Sequence, residues 1–295
     1  MANFNKNSGY GRIFADSYPA RGGGKTFYVA KSGTKYYEHI NQILDPDPEG
    51  DVRLFSTVEE AITKMNSRID WSVSPWAVGD TLYIFPGTYA ENLTALAHGC
   101  YIIGVGDDVR DGENGVVIQP ASGDPVDVGA LINTVVENMG FVTNGTNQAF
   151  DCAITNNCYF RRCFFSGPAE SVTATYGFYT NDSVKTTWED CWFCNAAIGL
   201  GFDYADANDS VSYAKIKDCQ VTGCGTSGIY TSTNLVGPHS QIINTHCTGG
   251  GQSTTKQFDD NSNLFDVVMS TFEGTTATEG GRSFNGSYGN GALIT

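Results

Sequence analysis

The chain has 295 residues, with 17% charged, 12% aromatic, 35 glycines and a formal net charge of −15 at pH 7. So acidic a surface repels phosphate backbones and disfavours nucleic-acid binding. No apolar run reaches the length of a membrane span and no apolar h-region follows Met1, so the sequence predicts a chain made in the cytoplasm, without membrane contact.

Residues 1–25 are polar and Gly-rich, with Lys6, Arg12, Arg21 and Lys25 against one acid, Asp16. They read as an extended arm, locally basic on an acidic protein. Arg12, Arg21 and Lys25 are the candidates for docking it on an acidic partner; the bland reading is a disordered terminus. Thr26 to Ala30 is a first strand, and residues 31–54 are expected to form a loop marked by Asp45-Pro46-Asp47-Pro48 and Gly50. Ser56 to Arg68 is the clearest helix. Ser56 is its expected cap, Glu59 completes a capping box, and Val58, Ala61, Ile62 and Met65 form an apolar stripe. A helix at this place covers the open end of whatever sheet follows. Gly79 to Glu91 reads as a strand closed by Pro86-Gly87, and Tyr101 to Gly106 and Val116 to Ile118 as further strands.

From residue 136 a six-residue cluster recurs. Its copies begin at Val136, Phe160, Trp188, Ile216, Ile242 and Val267, at intervals of 24, 28, 28, 26 and 25. A period of this length is the mark of a solenoid or propeller, whose repeats bury their apolar side only by stacking. Six matches in register argue against a sandwich with accidental recurrence. The fourth column is Met139, Cys163, Cys191, Cys219, Thr245, Ser270; the sixth is Phe141, Phe165, Phe193, Val221, Cys247, Phe272. Two apart on a strand, these columns share a face, small then large, as a narrow interior requires. The third column, Asn138, Arg162, Asp190, Asp218, Asn244, Met269, belongs on the other face or at a turn. The domain reading is therefore an arm over 1–25, a β-solenoid over 26–273 with its helix near 56–68, and a Gly/Ser/Thr-rich tail over 274–295.

Nine cysteines, three of them in the fourth column, read as small reduced core residues made in a reducing compartment, with a disulfide framework as the alternative. No paired CxxC pattern marks a metal site, and no cofactor is predicted. The histidines His39, His98, His239 and His246 are scattered, so no Ser/His/Asp triad is expected.

The runs "FSTVEEAI", "GDTLYIFPGTYAENL" and "CYIIGVG" resemble the N-terminal part of pectin-lyase-like right-handed parallel β-helix proteins, and the later clusters resemble the repeat of that superfamily. The resemblance covers roughly 55 to 272 and implies an all-β, right-handed parallel β-helix with an N-terminal capping helix and extended arms. Upstream, "GGGKTFYVAKSG", "ILDPDPEGDVRLFSTVEEAI" and "GDTLYIFPGTY", over residues 20 to about 90, resemble a group of bacteriophage virion proteins. That likeness implies a structural protein of a phage particle, decorating the head, attached to the capsid or another virion protein through its arms. A homotrimer is expected by analogy with viral β-helices.

Many β-helix proteins act on polysaccharides, but the phrases of their sites are missing. "DFIFG" and "QAVAL" of the esterases are absent, as are "NTD", "GHG" and "RxK" of the polygalacturonases and "WiDH" of the lyases. Only an Asp pair, Asp259-Asp260, remains. Glu189 with Lys217 and Glu137 with Arg161 fall in one column and predict ion-pair ladders, not a catalytic dyad. The loop carrying Asp203, Asp206 and Asp209 is the best cation or sugar contact, without the glycine and distal Glu of an EF-hand. Trp188 and Trp192, flanking Cys191, are expected away from the core. The expectation is a non-enzymatic virion protein. The alternatives are a tail spike that binds or cleaves host polysaccharide near Asp203 to Asp209, and a secreted adhesin.

Overall fold

The computed structural model describes residues 24–44, 47, 49–69, 79–168, 174–203, 209–248 and 256–273, and short strands at 276–280, 283–285, 287–289 and 292–294. Its architecture follows from two columns of turns. Asn138, Arg162, Asp190, Asp218, Asn244 and Met269 all hold left-handed backbone, with φ between 47° and 58°. A second column does the same five residues earlier in each coil: Asn133, Asn157, Lys185, Tyr213 and, in the next coil, His239, with φ between 51° and 58°. One left-handed residue between two short strands bends the chain sharply with no loop. Asn and Asp reach this region most cheaply because their short side chains bond locally. Asn244 Nδ2 donates to Asp218 Oδ1 at 2.6 Å, and Asn157 Nδ2 to Asn133 Oδ1 at 2.7 Å, so the turns also bond from coil to coil.

Between the turns, the strands of the described residues stack in register into three walls of 11, 10 and 9 strands. The first wall runs from Leu54–Phe55 and Thr26–Val29 to Ser283–Asn285, and the second from Gly87–Tyr89 to Ala292–Ile294. The third is built on Asp127–Ile132, Phe150–Asn156, Ala174–Thr180, Ala196–Phe202, Ser227–Thr231, Lys256–Asp260 and Thr276–Gly280. The pairing is parallel between coils. The last strand reverses it: Ala292–Ile294 lies antiparallel to Ser287–Gly289. The fold is the expected right-handed parallel β-helix, and the Gly/Ser/Thr-rich segment after 273 supplies strands to all three walls.

The core is a set of stacked rings. Phe141, Phe165 and Phe193 stack at 5.5 and 5.2 Å between centroids, and Phe150 on Phe178 at 4.7 Å. The two stacks meet edge to face, Phe141 on Phe150 at 5.0 Å and 90°. Such T-shaped pairs add to the burial of the rings themselves. Trp188 also lies in the core, stacked on Phe160 at 5.9 Å and fully buried. This corrects the expectation that both tryptophans leave it: Trp188 stands in the first column of the cluster, level with Phe160 and Ile216. Trp192 does face outward, under the Arg110 guanidinium at 5.2 Å.

All nine cysteines are buried and none is disulfide-bonded. The fourth column does more than save space. Cys163 Sγ donates to Val136 O, Cys191 to Phe160 O and Cys219 to Trp188 O, at 3.4 to 3.5 Å. Thr245 Oγ1 does the same to Ile216 O at 3.4 Å. These four reach the first-column carbonyl of the coil before, whereas Ser270 Oγ donates to Val268 O of its own coil at 3.0 Å and Met139 has no donor.

The entry of the chain differs from the loop expected over 31–54. Residues Lys35–Ile43 form a helix, α1, capped by Thr34, whose hydroxyl accepts from Tyr37 N at 3.3 Å. Tyr36, Tyr37, Ile40 and Leu44 pack on Tyr83, Phe85 and Ile103 on the outside of the first wall. The second helix, α2, spans Val58–Asn66 and turns the expected stripe, Val58, Ala61, Ile62 and Met65, onto the end of the core. Its cap is Thr57, not Ser56, and no capping box closes it. Glu91, a coil away, accepts from Val58 N at 3.0 Å and Glu59 N at 2.8 Å. A carboxylate at a helix N-terminus satisfies its orphan amides and complements its dipole.

Candidate functional site

The outer face of the first wall pairs its charges from coil to coil. Lys217 Nζ meets Glu189 Oε1 at 2.6 Å, and Glu137 is paired with Arg161 at 3.7 Å and with Arg162. These are the ladders expected from the sequence. The third wall differs. Its register places Asp127, Asp151, Tyr179, Gly201, Tyr230 and Asp259 in one outward row, one residue per strand.

The gap at Gly201 is filled from beside it. A Cβ there would lie 2.3 Å from Tyr176 Cε1, so only glycine admits the Tyr176 ring, which rests on Tyr179 at 4.8 Å between centroids. Tyr176 and Tyr179, three residues apart, share a face because the strand bends between them. Gly177, Gly199 and Gly228 stack at the bend, where a Cβ on each would approach the next coil's carbonyl oxygen to 2.5 to 2.6 Å. Tyr176, Tyr179 and Tyr230 thus form a half-buried aromatic platform over three coils.

Asp203, two residues beyond Gly201, acts on all three rings through its charge. Burial is the first cause that pushes the three phenol pKa values up, and the Asp203 charge is the second at each. Asp209 adds to this at Tyr179. Along the row, burial first and then the charges of Asp127 and Asp124 push Asp151 up to about 6. Asp259 Oδ1 is 3.3 Å from Lys256 Nζ.

The sequence candidates fall as follows. Asp203 and Asp209 belong to this platform, while Asp206 lies outside the described residues, as do Arg12 and Arg21. Lys25 is tied to its own chain at the surface: its ammonium meets Asp47 at 2.9 Å, Glu49 at 2.7 Å and Asp51 at 2.5 Å. These carboxylates could group around a metal ion, but the lysine already sits among them. The Asp259-Asp260 pair is split by the strand. Asp260 is fully buried and accepts from Thr231 Oγ1 at 2.8 Å and Phe265 N at 2.9 Å. The histidines serve separate local contacts, such as His98 Nδ1 accepting from Ile132 N at 3.2 Å. An open cleft of about 860 Å³ lies elsewhere, beside α2, with Phe55, Glu59, Glu60 and Lys64 in its lining. The tyrosine platform carried no sequence signal beyond the aromatic count.

Among the described residues, no helix is long and apolar enough to cross a membrane. No family model matches the sequence, and no curated protein does. Solved structures do resemble the fold. A pectate lyase, Pel9A, is similar with a TM-score of 0.50 and 14% identity, over 92% of this chain and 79% of that one. A pectin methylesterase from Aspergillus niger has a TM-score of 0.49 and 15% identity, over 93% of this chain and 87% of its own. The Dettilon tailspike protein has a TM-score of 0.41 and 13% identity, over 92% of this chain and 53% of its own. At such identities the likeness is one of fold alone: a parallel β-helix.

Proposed function

We propose that this parallel β-helix protein is a non-enzymatic structural component of a bacteriophage particle that meets host polysaccharide along its third wall. The observation that carries the contact is the platform of Tyr176, Tyr179 and Tyr230, within the field of Asp203. Flat rings beside fixed carboxylates suit a sugar, whose C–H face stacks on the ring while its hydroxyls donate to the carboxylate. The particle rests on the upstream likeness of residues 20 to about 90 to virion proteins.

The head-decoration form of this reading needs the basic arm. Lys25 is committed to three carboxylates of its own chain, which leaves Arg12 and Arg21 as its docking candidates. The wall therefore favours the tail-spike form, assembled as a trimer. Electron microscopy of purified particles with a labelled antibody tests it. Label at the tail tip is expected; label on the head surface would favour decoration, and unlabelled particles would remove both.

Binding without cleavage fits the spacing of the platform's flanking acids. Asp151 and Asp259 are four strands apart in the row, about 19 Å, whereas glycosidic hydrolysis needs two carboxyls about 5 to 10 Å apart. One observation favours a second reading. Asp127 and Asp151 pair one strand apart, and Asp151, held at about 6, is suited to be a general acid. Reducing-end release from host capsule separates the two. No release is expected; release that disappears in Asp151→Asn would establish hydrolysis instead.

A further inference from the structure

We infer that the third wall selects polysaccharides bearing free amino groups, hexosamine polymers with ammonium substituents, over polymers rich in uronate or sialate. This rests on the reading of the wall as a glycan platform and names the chemistry it would take.

The charges facing the platform are one-sided. Asp151, Asp127 and Asp124 flank it on one side, Asp203 and Asp209 act on its phenols, and Asp259 closes it on the other side. The one ammonium among the described residues that acts on the platform is Lys256, and it sits 3.3 Å from Asp259. The first wall alternates acid with base in its outward column, Glu137, Arg161, Glu189 and Lys217; this wall does not. Like charges one strand apart repel, and that repulsion persists where water is partly excluded. An incoming carboxylate would add to it. An incoming ammonium relieves it, and the tyrosine faces add attraction for a cation. A polymer running along the helix axis passes one row residue per strand spacing, so successive sugars meet Asp151, Tyr179, the Tyr176 ring over Gly201 and Tyr230 in turn.

The test uses the full-length protein and three oligosaccharides of equal length: chitosan with free amines, its N-acetylated counterpart, and oligogalacturonate. Calorimetric titration should give chitosan at least a tenfold tighter Kd than the acetylated oligomer, with the difference shrinking in high salt. Oligogalacturonate should not bind. The double variant Asp151→Asn/Asp203→Asn should lose the preference while retaining binding of the acetylated oligomer, and Tyr179→Ala should weaken both. Glu59→Gln/Glu60→Gln, at the distant cleft, should change neither, which separates the wall from indiscriminate attraction of a polycation to an acidic protein. Equal affinity for amine and acetyl forms, or binding of the uronate, would overturn the selectivity and leave the glycan platform standing. Absence of binding by all three would remove the platform reading and the selectivity with it.

Discussion

Single residues set the turns, and one of them is poorly matched to its place, as is Asp151 in the third wall. Met269 holds φ of 48° in the column otherwise filled mainly by Asn and Asp, and it is 62% exposed. A left-handed backbone costs a residue with an ordinary side chain about 1–2 kcal/mol, and Asn less. Met269→Asn is therefore expected to stabilise the protein by about 1 kcal/mol, read from the midpoint of urea denaturation. Asp151 is mismatched in another way. Its pKa of about 6 lies above the usual Asp value near 3.9, so the folded state holds a proton that the unfolded chain has lost. Its contribution falls as pH rises from about 4 to about 6 and is flat above that. Asp151→Asn should stabilise the protein at pH 7 by about 1 kcal/mol or less for so accessible a group, read as a raised Tm, and the gain should vanish toward pH 4. A gain that persisted at pH 4 would mean that charge is not its cause. The Asn/Asp turn column and the Cys/Phe interior were legible because each coil repeats them at one register. The donor role of Cys163, Cys191 and Cys219 was not, since only the backbone path shows which carbonyl lies within reach.

Among elements, α2 was legible from its apolar stripe, but its cap was not, because Glu91 comes from a segment 33 residues beyond Val58. Burial, followed by the charges of Glu59 and Glu60, raises the Glu91 pKa, while the two amides it accepts from oppose this. Glu91→Ala should free those amides and loosen the lid on the core, at a cost of about 1–2 kcal/mol. Hydrogen exchange should show it first at Val58 and Glu59; unchanged protection there would show that Thr57 alone is sufficient. The helix α1 was hidden by the Asp-Pro punctuation after it and by tyrosines that pack outside the first wall instead of inside the core. The third wall was hidden for a geometric reason. Its row advances by 22 residues from Tyr179 to Gly201 and by 29 to Tyr230, and the glycine bend breaks the alternation of sides within a strand. Column reading fails where loops vary and the period of two is interrupted.

At the scale of the molecule, coils touch only their neighbours, so stability is close to a sum of coil and interface contributions. Both ends of such a stack are templates for further strands. At one end, α2 lies over the core and Leu54–Phe55 limits the first wall to a two-residue margin. At the other, Ala292–Ile294 runs against the direction of every strand before it. A chain approaching in the parallel sense finds that position on the second wall already taken by a strand of opposite polarity. The reversal is a stop codon written in backbone direction: it ends propagation that in-register parallel pairing would otherwise allow. Removing residues 290–295 should leave the coils folded but let molecules join head to tail, so that light scattering rises with concentration and rods lengthen under the electron microscope. Particles of unchanged length would show that the other two walls halt growth without it.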